Sequence, residues 1–139
     1  DTIFSLKTID FIKERVKTPE SATYSYQLTY EFPLLDGKIA WHCSEIPFVF
    51  HNAELAPLFN KEGETDGLEE NIFGAWISFA KTGRPEIKGV DWPACTEGDE
   101  PVMILDVNCE IRHNVDHELV PLVQKYAKPL QMDSENIQH

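Results

Sequence analysis

Between residues 24 and 32 the chain alternates Tyr24, Tyr26, Leu28, Tyr30 and Phe32 with Ser25, Gln27, Thr29 and Glu31. Period-two alternation is the signature of a β-strand with one apolar and one polar face, and it predicts a single strand over Tyr24–Phe32. The other sheet signal is a hairpin in which Val102–Leu105 and Glu110–His113 flank Asp106-Val107-Asn108. Helical periodicity is more plentiful. Leu6, Ile9, Ile12 and Val16 form one amphipathic stripe, stopped at Pro19. Asp66 and Glu69, at capping-box spacing, open a second helix. Ile72, Trp76 and Phe79 make one stripe on it, and Phe73, Ile77 and Ala80 an adjacent one, a face broad enough to need burial on more than one side. Gly83 and Pro85 stop it. Leu119, Val120, Val123 and Tyr126 suggest a last helix. One strand and a hairpin are little sheet for these helices to cover, whereas βαβ architecture needs several parallel neighbours. The chain therefore reads as α/β, but as one side of a larger sheet and incomplete as a stand-alone one.

At 139 residues the chain is long enough for a single domain, with 42% hydrophobic and 26% charged residues, as in ordinary globular proteins. No apolar run approaches the roughly 20 residues a spanning helix needs, so no membrane association is expected. A formal net charge of -12 argues against nucleic acid, which is held by clustered Lys and Arg, and against anionic membrane surfaces. The acids concentrate in Glu62–Glu70 and Glu97–Glu100, between apolar segments, and read as solvated loops. Cys43, Cys95 and Cys109 form no C-x-x-C pair and are odd in number, so a disulfide framework is not expected and a reducing cytoplasm fits best. The chain opens at Asp1 without a charged-then-apolar leader, which reads as a signal peptide absent or already removed, and equally as a cut piece of a longer polypeptide. The segment after Pro129, residues 130–139, reads as a frayed tail.

Pro33 and Asp36-Gly37 break regular structure, which places the following residues, Trp41 to Phe50, on a loop. This segment reads WHCSEIPFVF. Taken alone, a histidine beside a tryptophan is ordinarily a partly buried, hydrogen-bonded structural residue. Ser44 lacks the strained strand-to-helix elbow that presents a nucleophilic hydroxyl. Glu45, three residues along the same loop, is badly placed to reach the far ring nitrogen of His42 and instead suits bracing the loop by hydrogen bonds. Cys43 points away from its neighbour in an extended loop. Phe48 and Phe50 are expected to bury. So are Trp76, Phe79 and Trp92, as aromatics that pin the helix onto the sheet. His51 reads as loop surface. His113 and His117, four apart near Asp116, fail as a metal pair because the hairpin-to-helix junction breaks a shared face. No metal and no cofactor are expected.

Several landmarks, in order, resemble one family. The strand ATYSYQLTYEF is similar to the eighth strand of the type-B carboxylesterases and cholinesterases, a branch of the α/β-hydrolases. The segment WHCSEIPFVF resembles their His-x-x-Glu-Leu-Pro-Tyr-Val-Phe loop, AWISFAKTGRP resembles Trp-x-x-Phe-Ala-x-Thr-Gly-x-Pro, and Asp91-Trp92-Pro93 resembles the Trp-Pro that follows. The resemblance covers most of residues 22–93, and the closing hairpin and helix fit more loosely. It implies that residues 1–139 are a C-terminal segment of an α/β-hydrolase that cleaves small carboxylic esters with a Ser-His-Glu or Ser-His-Asp triad, His42 being the base. The chain departs from the family in lacking Gly-x-Ser-x-Gly and a glycine-rich oxyanion loop. Nucleophile, oxyanion donors and acid are then expected from the N-terminal part of the same hydrolase, and the chain alone is expected to be inactive. The alternative is a non-catalytic binding or assembly module derived from a hydrolase. The exposed flank of a truncated sheet further implies self-association.

Overall fold

In the computed structural model, which describes residues 2–18 and 20–126, the alternating stretch does not run through as one strand. It splits into β1 (Ser25–Leu28) and β2 (Glu31–Phe32). The break falls where β1 loses its neighbour. β1 pairs in parallel with β4 (Pro101–Leu105), and the last ladder bond runs from the Thr29 N–H to the Leu105 carbonyl at 3.0 Å. The Thr29 hydroxyl then donates to Asp106 at 2.6 Å, where β4 turns toward β5 (Glu110–His113). With no partner left, the chain swings away, and β2 pairs instead with β3 (Lys38–Ile39). The reversal between them uses left-handed backbone at Leu35, Asp36 and Gly37. At Gly37, φ 101°, a Cβ would meet only the far end of the exposed, flexible Glu31 side chain, so it is the left-handed backbone that favours glycine there.

The expected hairpin forms, β4 and β5 pairing antiparallel with Pro101 opposite His113. The main sheet is ordered β1-β4-β5, and all five residues of β4 are buried because the strand is central. Tyr26 lies beside Met103 and packs edge-on against Trp76 of α3 (Thr65–Thr82), with ring centroids 4.8 Å apart. The other face of the sheet meets α1 (Thr2–Arg15), where Thr8 and Ile9 line a cleft with Ser25, Gln27 and Val102. The terminal helix α4 (Leu119–Tyr126) packs beside α1. Pro19 and the tail at residues 130–139 lie outside the described residues. Among the described residues no helix is long and apolar enough to cross a membrane.

Helix α3 starts without the expected capping box. Its N-cap is Glu64, which makes no side-chain cap bond, and Asp66 lies inside the first turn. The Thr65 hydroxyl tethers the start instead, accepting the Lys61 N–H and donating to the Lys61 carbonyl. Glu69 is drawn away to the Ala53 N–H at 2.9 Å. Neither expected stripe is fully covered: the buried line is Leu68, Ile72 and Ala75, whereas Trp76 is half-buried and Ile77 and Phe79 remain exposed. Among the described residues nothing lays a second covering layer on the broad face, and Phe79 is not the core aromatic the pattern implies. The helix stops as expected at Gly83, left-handed at φ 76°, whose N–H reaches the Phe79 carbonyl at 2.8 Å.

Two acidic residues overturn the reading of their runs as solvated loops, since Glu69 and Glu100 are buried. Both are hydrogen-bond acceptors, the condition under which a carboxylate tolerates burial. Glu100 receives the Ser25 hydroxyl on one oxygen and lies 2.7 Å from His117 Nε2 on the other.

The core centres on Phe32, which is fully buried and touches Tyr30, Trp41, Phe48 and Phe59, the nearest ring centroids being 4.8 and 5.0 Å away. Leu68 and Ile72 of α3 and Met103 and Leu105 of β4 complete it. Truncating so central a ring removes both transfer energy and packing. Phe32→Ala is expected to cost about 3–5 kcal/mol, read as a drop in the urea midpoint measured at fixed protein concentration.

Candidate active site

The segment that carries His42 leaves β3 and closes on itself before entering α2 (Ile46–Val49), a single turn of helix where a loop was expected. Ser44 makes the closure. Its N–H and its hydroxyl both donate to the Trp41 carbonyl, at 3.1 and 2.8 Å, while its oxygen accepts the Trp41 N–H at 3.1 Å. Ser44 is 2% exposed, so this hydroxyl is spent on the turn and is not presented to solvent. His42 and Cys43 lie at the tip between these clamps and are both exposed. Cys43 takes the left-handed conformation, φ 67°, needed to complete so tight a reversal.

The far end of the turn is secured by Glu45 and Phe48. The Tyr26 hydroxyl donates to Glu45 at 3.4 Å, linking the turn to the middle of β1. Burial, followed by the negative charge and hydrogen bond of Glu45, pushes the Tyr26 phenol from 10.0 up to about 12. Phe48 enters the core at 0% exposure, stacked near Phe32. Phe50 does not follow it, remaining 69% exposed, because the helical turn replaces extended alternation and aims Phe50 outward.

Beyond α2 the chain is fastened to α3. His51, left-handed at φ 51°, stands edge-on to Phe73 with its Nε2 3.1 Å from Glu70, and that contact raises its pKa. Glu69 accepts the Ala53 N–H two residues later. The His42 turn is therefore held from β1 by Tyr26, from within by Ser44, and from α3 through the segment that follows.

The remaining candidates are dispersed. His113 Nδ1 lies 2.7 Å from Asp99, and His117 is paired with Glu100 at the base of the β4–β5 hairpin. Among the described residues no group of three or more His, Cys, Asp or Glu could hold a metal ion. Cys95 is buried and its thiol is pushed up to about 11 by burial and then by Glu100. Cys109 is also raised, chiefly by burial. Trp92 is buried as expected, while Trp76 is half-buried. Sequence reasoning missed Tyr26, Glu69 and Glu100. Alternation put Tyr26 on the apolar face, but nothing local pairs it with a carboxylate 19 residues on.

Parallel strands joined by a crossover, with helices packed on the sheet, make this part of an α/β fold, the α/β-hydrolase fold of the esterases it is similar to. Residues 1–122 match the carboxylesterase family, and the chain belongs to it. The para-nitrobenzyl esterase of Bacillus subtilis (strain 168) is 38% identical over 82 residues, which cover 57% of this chain and 17% of that protein. The phenmedipham hydrolase of Pseudarthrobacter oxydans is 29% identical over 102 residues, covering 66% and 20%. In structure, an esterase from anaerobic Clostridium hathewayi, described as able to hydrolyse aliphatic aromatic polyesters, superposes with a TM-score of 0.84. It is 42% identical, with 91% of this chain and 25% of that one covered. The chain thus spans a fifth or less of the length of the two curated relatives.

The elevated Tyr26 phenol ties the turn to pH. A group whose folded pKa lies above its unfolded value stabilises the fold fully below the unfolded value and loses that contribution as pH rises toward the folded one. Stability is expected to fall between pH 10 and about 12, in step with the Tyr26 shift. In Tyr26→Phe this alkaline loss should shrink, as followed by urea titration at successive pH values, with ultraviolet absorbance reporting phenolate formation.

Proposed function

We propose that this chain supplies the histidine base of a serine carboxylesterase whose nucleophile, oxyanion donors and acid come from the N-terminal part of the same hydrolase. The observation that carries the reading is the exposed His42, held on a turn clamped by Ser44 and Tyr26–Glu45, within the region matched by the carboxylesterase family. Imidazole is the side chain whose ordinary pKa suits both halves of ester cleavage near neutral pH. As the serine oxygen attacks the ester carbonyl, His42 takes its proton. As the tetrahedral intermediate collapses, His42 returns that proton to the departing alcohol, leaving an acyl-serine. Water then repeats the sequence, His42 removing its proton and giving it back to the serine as the acid leaves.

Ser44 and Glu45 act in this reading as positioning residues. Ser44 holds the tip that bears His42, and Glu45 transmits the placement of β1 through Tyr26. The substrate is a small carboxylic ester, a class in keeping with the esterase names of the relatives. Three cysteines, none of them in a disulfide, support a reducing, cytoplasmic setting.

The test has two arms. The purified 139-residue chain is expected not to hydrolyse a p-nitrophenyl ester, while the same residues within a longer polypeptide carrying Gly-x-Ser-x-Gly are. In that longer polypeptide His42→Ala should lower kcat by about 10⁴-fold or more. Turnover by the isolated chain, abolished by His42→Ala, would show that the nucleophile lies within these residues. A longer polypeptide whose biological activity is indifferent to His42→Ala would favour a non-catalytic module.

A further inference from the structure

The His51 ring stands between two carboxylates on neighbouring residues of α3. Its Nε2 lies 3.1 Å from Glu70 and its Nδ1 3.8 Å from Glu69, and the ring meets Phe73 edge-on at a centroid distance of 4.8 Å. Glu69 is buried, and the oxygen that faces Nδ1 is the one that accepts the Ala53 N–H. The chain leaving α2 is thus fastened to one turn of α3 at two of its residues. The backbone of His51 is itself bonded into α2, since its N–H donates to the Phe48 carbonyl at 3.2 Å and the next N–H, of Asn52, to the Pro47 carbonyl at 3.0 Å. Its left-handed conformation, φ 51°, is uncommon for a residue with a side chain, and histidine is among those that adopt it more readily.

An imidazolium carries an N–H on each nitrogen and a neutral imidazole carries one. Two carboxylates facing the two nitrogens are therefore satisfied together only by the charged ring. When the proton leaves, one nitrogen turns a lone pair toward a carboxylate oxygen, and attraction on that side becomes repulsion. The hydrogen bond with Glu70 raises the His51 pKa against the opposing effect of burial, and the charges of Glu69 and Glu70 add to the rise. A group raised in this way contributes fully below its ordinary value, and the contribution is lost as pH climbs through the raised one.

We propose that His51 is a positioning residue for His42: its imidazolium holds α2, and with it the His42 turn, against Glu69 and Glu70 of α3, and releases it when the ring loses its proton. The inference rests on the reading of His42 as the base. The path between the two histidines is short. The N–H groups of Phe48 and Val49 both donate to the Glu45 carbonyl at 3.0 Å, so the single turn of α2 is bonded directly to the residue that follows Ser44. Phe48 fixes the middle of α2 in the core, and His51 fixes its exit. His42 accepts a proton only when neutral, whereas the brace needs a charged His51, so the two histidines together confine activity to a window of pH. The His51 ring is partly exposed and its ion pairs are screened by water, so releasing the brace is expected to lower activity by about threefold and not to abolish it.

Two titrations test it, both on the longer polypeptide that carries Gly-x-Ser-x-Gly, so that their midpoints compare directly. In nuclear magnetic resonance the His51 ring should titrate above the ordinary imidazole value, and should move back toward it in Glu70→Gln, a change at an exposed position. The kcat/KM for a p-nitrophenyl ester should fall about threefold on the alkaline side with the midpoint of that ring titration. Glu70→Gln should carry the fall to lower pH in step with the ring. His51→Asn, whose side chain tolerates left-handed backbone and does not titrate, should lack the fall and stay at the lower level throughout. A His51 ring that titrates at the ordinary value, or is indifferent to Glu70→Gln, overturns the proposal. So does a pH profile unchanged by His51→Asn in a polypeptide that His42→Ala inactivates. Activity indifferent to His42→Ala overturns instead the reading of His42 as the base, and this inference falls with it.

Discussion

The parallel pairing of β1 with β4 is the constraint on which the rest of the molecule depends. Antiparallel strands can be joined by a tight turn, but parallel strands need a crossover that returns the chain to the same end of the sheet. Here Ser25 meets Val102, so everything from Thr29 to Glu100 is that crossover. It contains the His42 turn, α2 and α3. Its length leaves room for the turn to form at one end of β1 and for α3 to lie over the sheet, and its return aligns β4 with β1.

Burial follows from the same pairing. As the central strand, β4 is covered on both faces and paired on both edges, and its five residues are all buried. Polar groups brought into that environment must be satisfied. Glu100 at the start of β4 takes a hydroxyl from β1 and pairs with His117 after β5, and Thr29 and Asp106 close the other end. The sheet is clamped at both ends by side-chain bonds between residues about 75 apart. Between them the aromatic cluster around Phe32 ties the crossover to the sheet, and Phe48 carries the His42 turn into that cluster.

Much of this was legible in the sequence wherever the signal was local. The β4–β5 hairpin, the Gly83 stop and the terminal helix are set by periodicity and by residues that only certain backbone conformations accept. The order of motifs identified the family that the comparison bears out. The readings that failed share a cause. Tyr24–Phe32 alternates perfectly yet breaks at Thr29, because a strand lasts only as long as its neighbour. Phe50 and Phe79 are apolar at the right spacing yet exposed, because spacing says which face a residue occupies but not whether anything covers it. Glu69 and Glu100 belong to acidic runs yet are buried, because their hydrogen-bond donors come from remote segments.

The sequence by itself determined the kinds of elements, their stops and the carboxylesterase family, since these rest on backbone preferences and on motif order within short stretches. Tertiary structure alone decided that Tyr26 holds Glu45 and that Glu100 is buried against Ser25 and His117. Each of these depends on a partner whose distance along the chain no local pattern encodes.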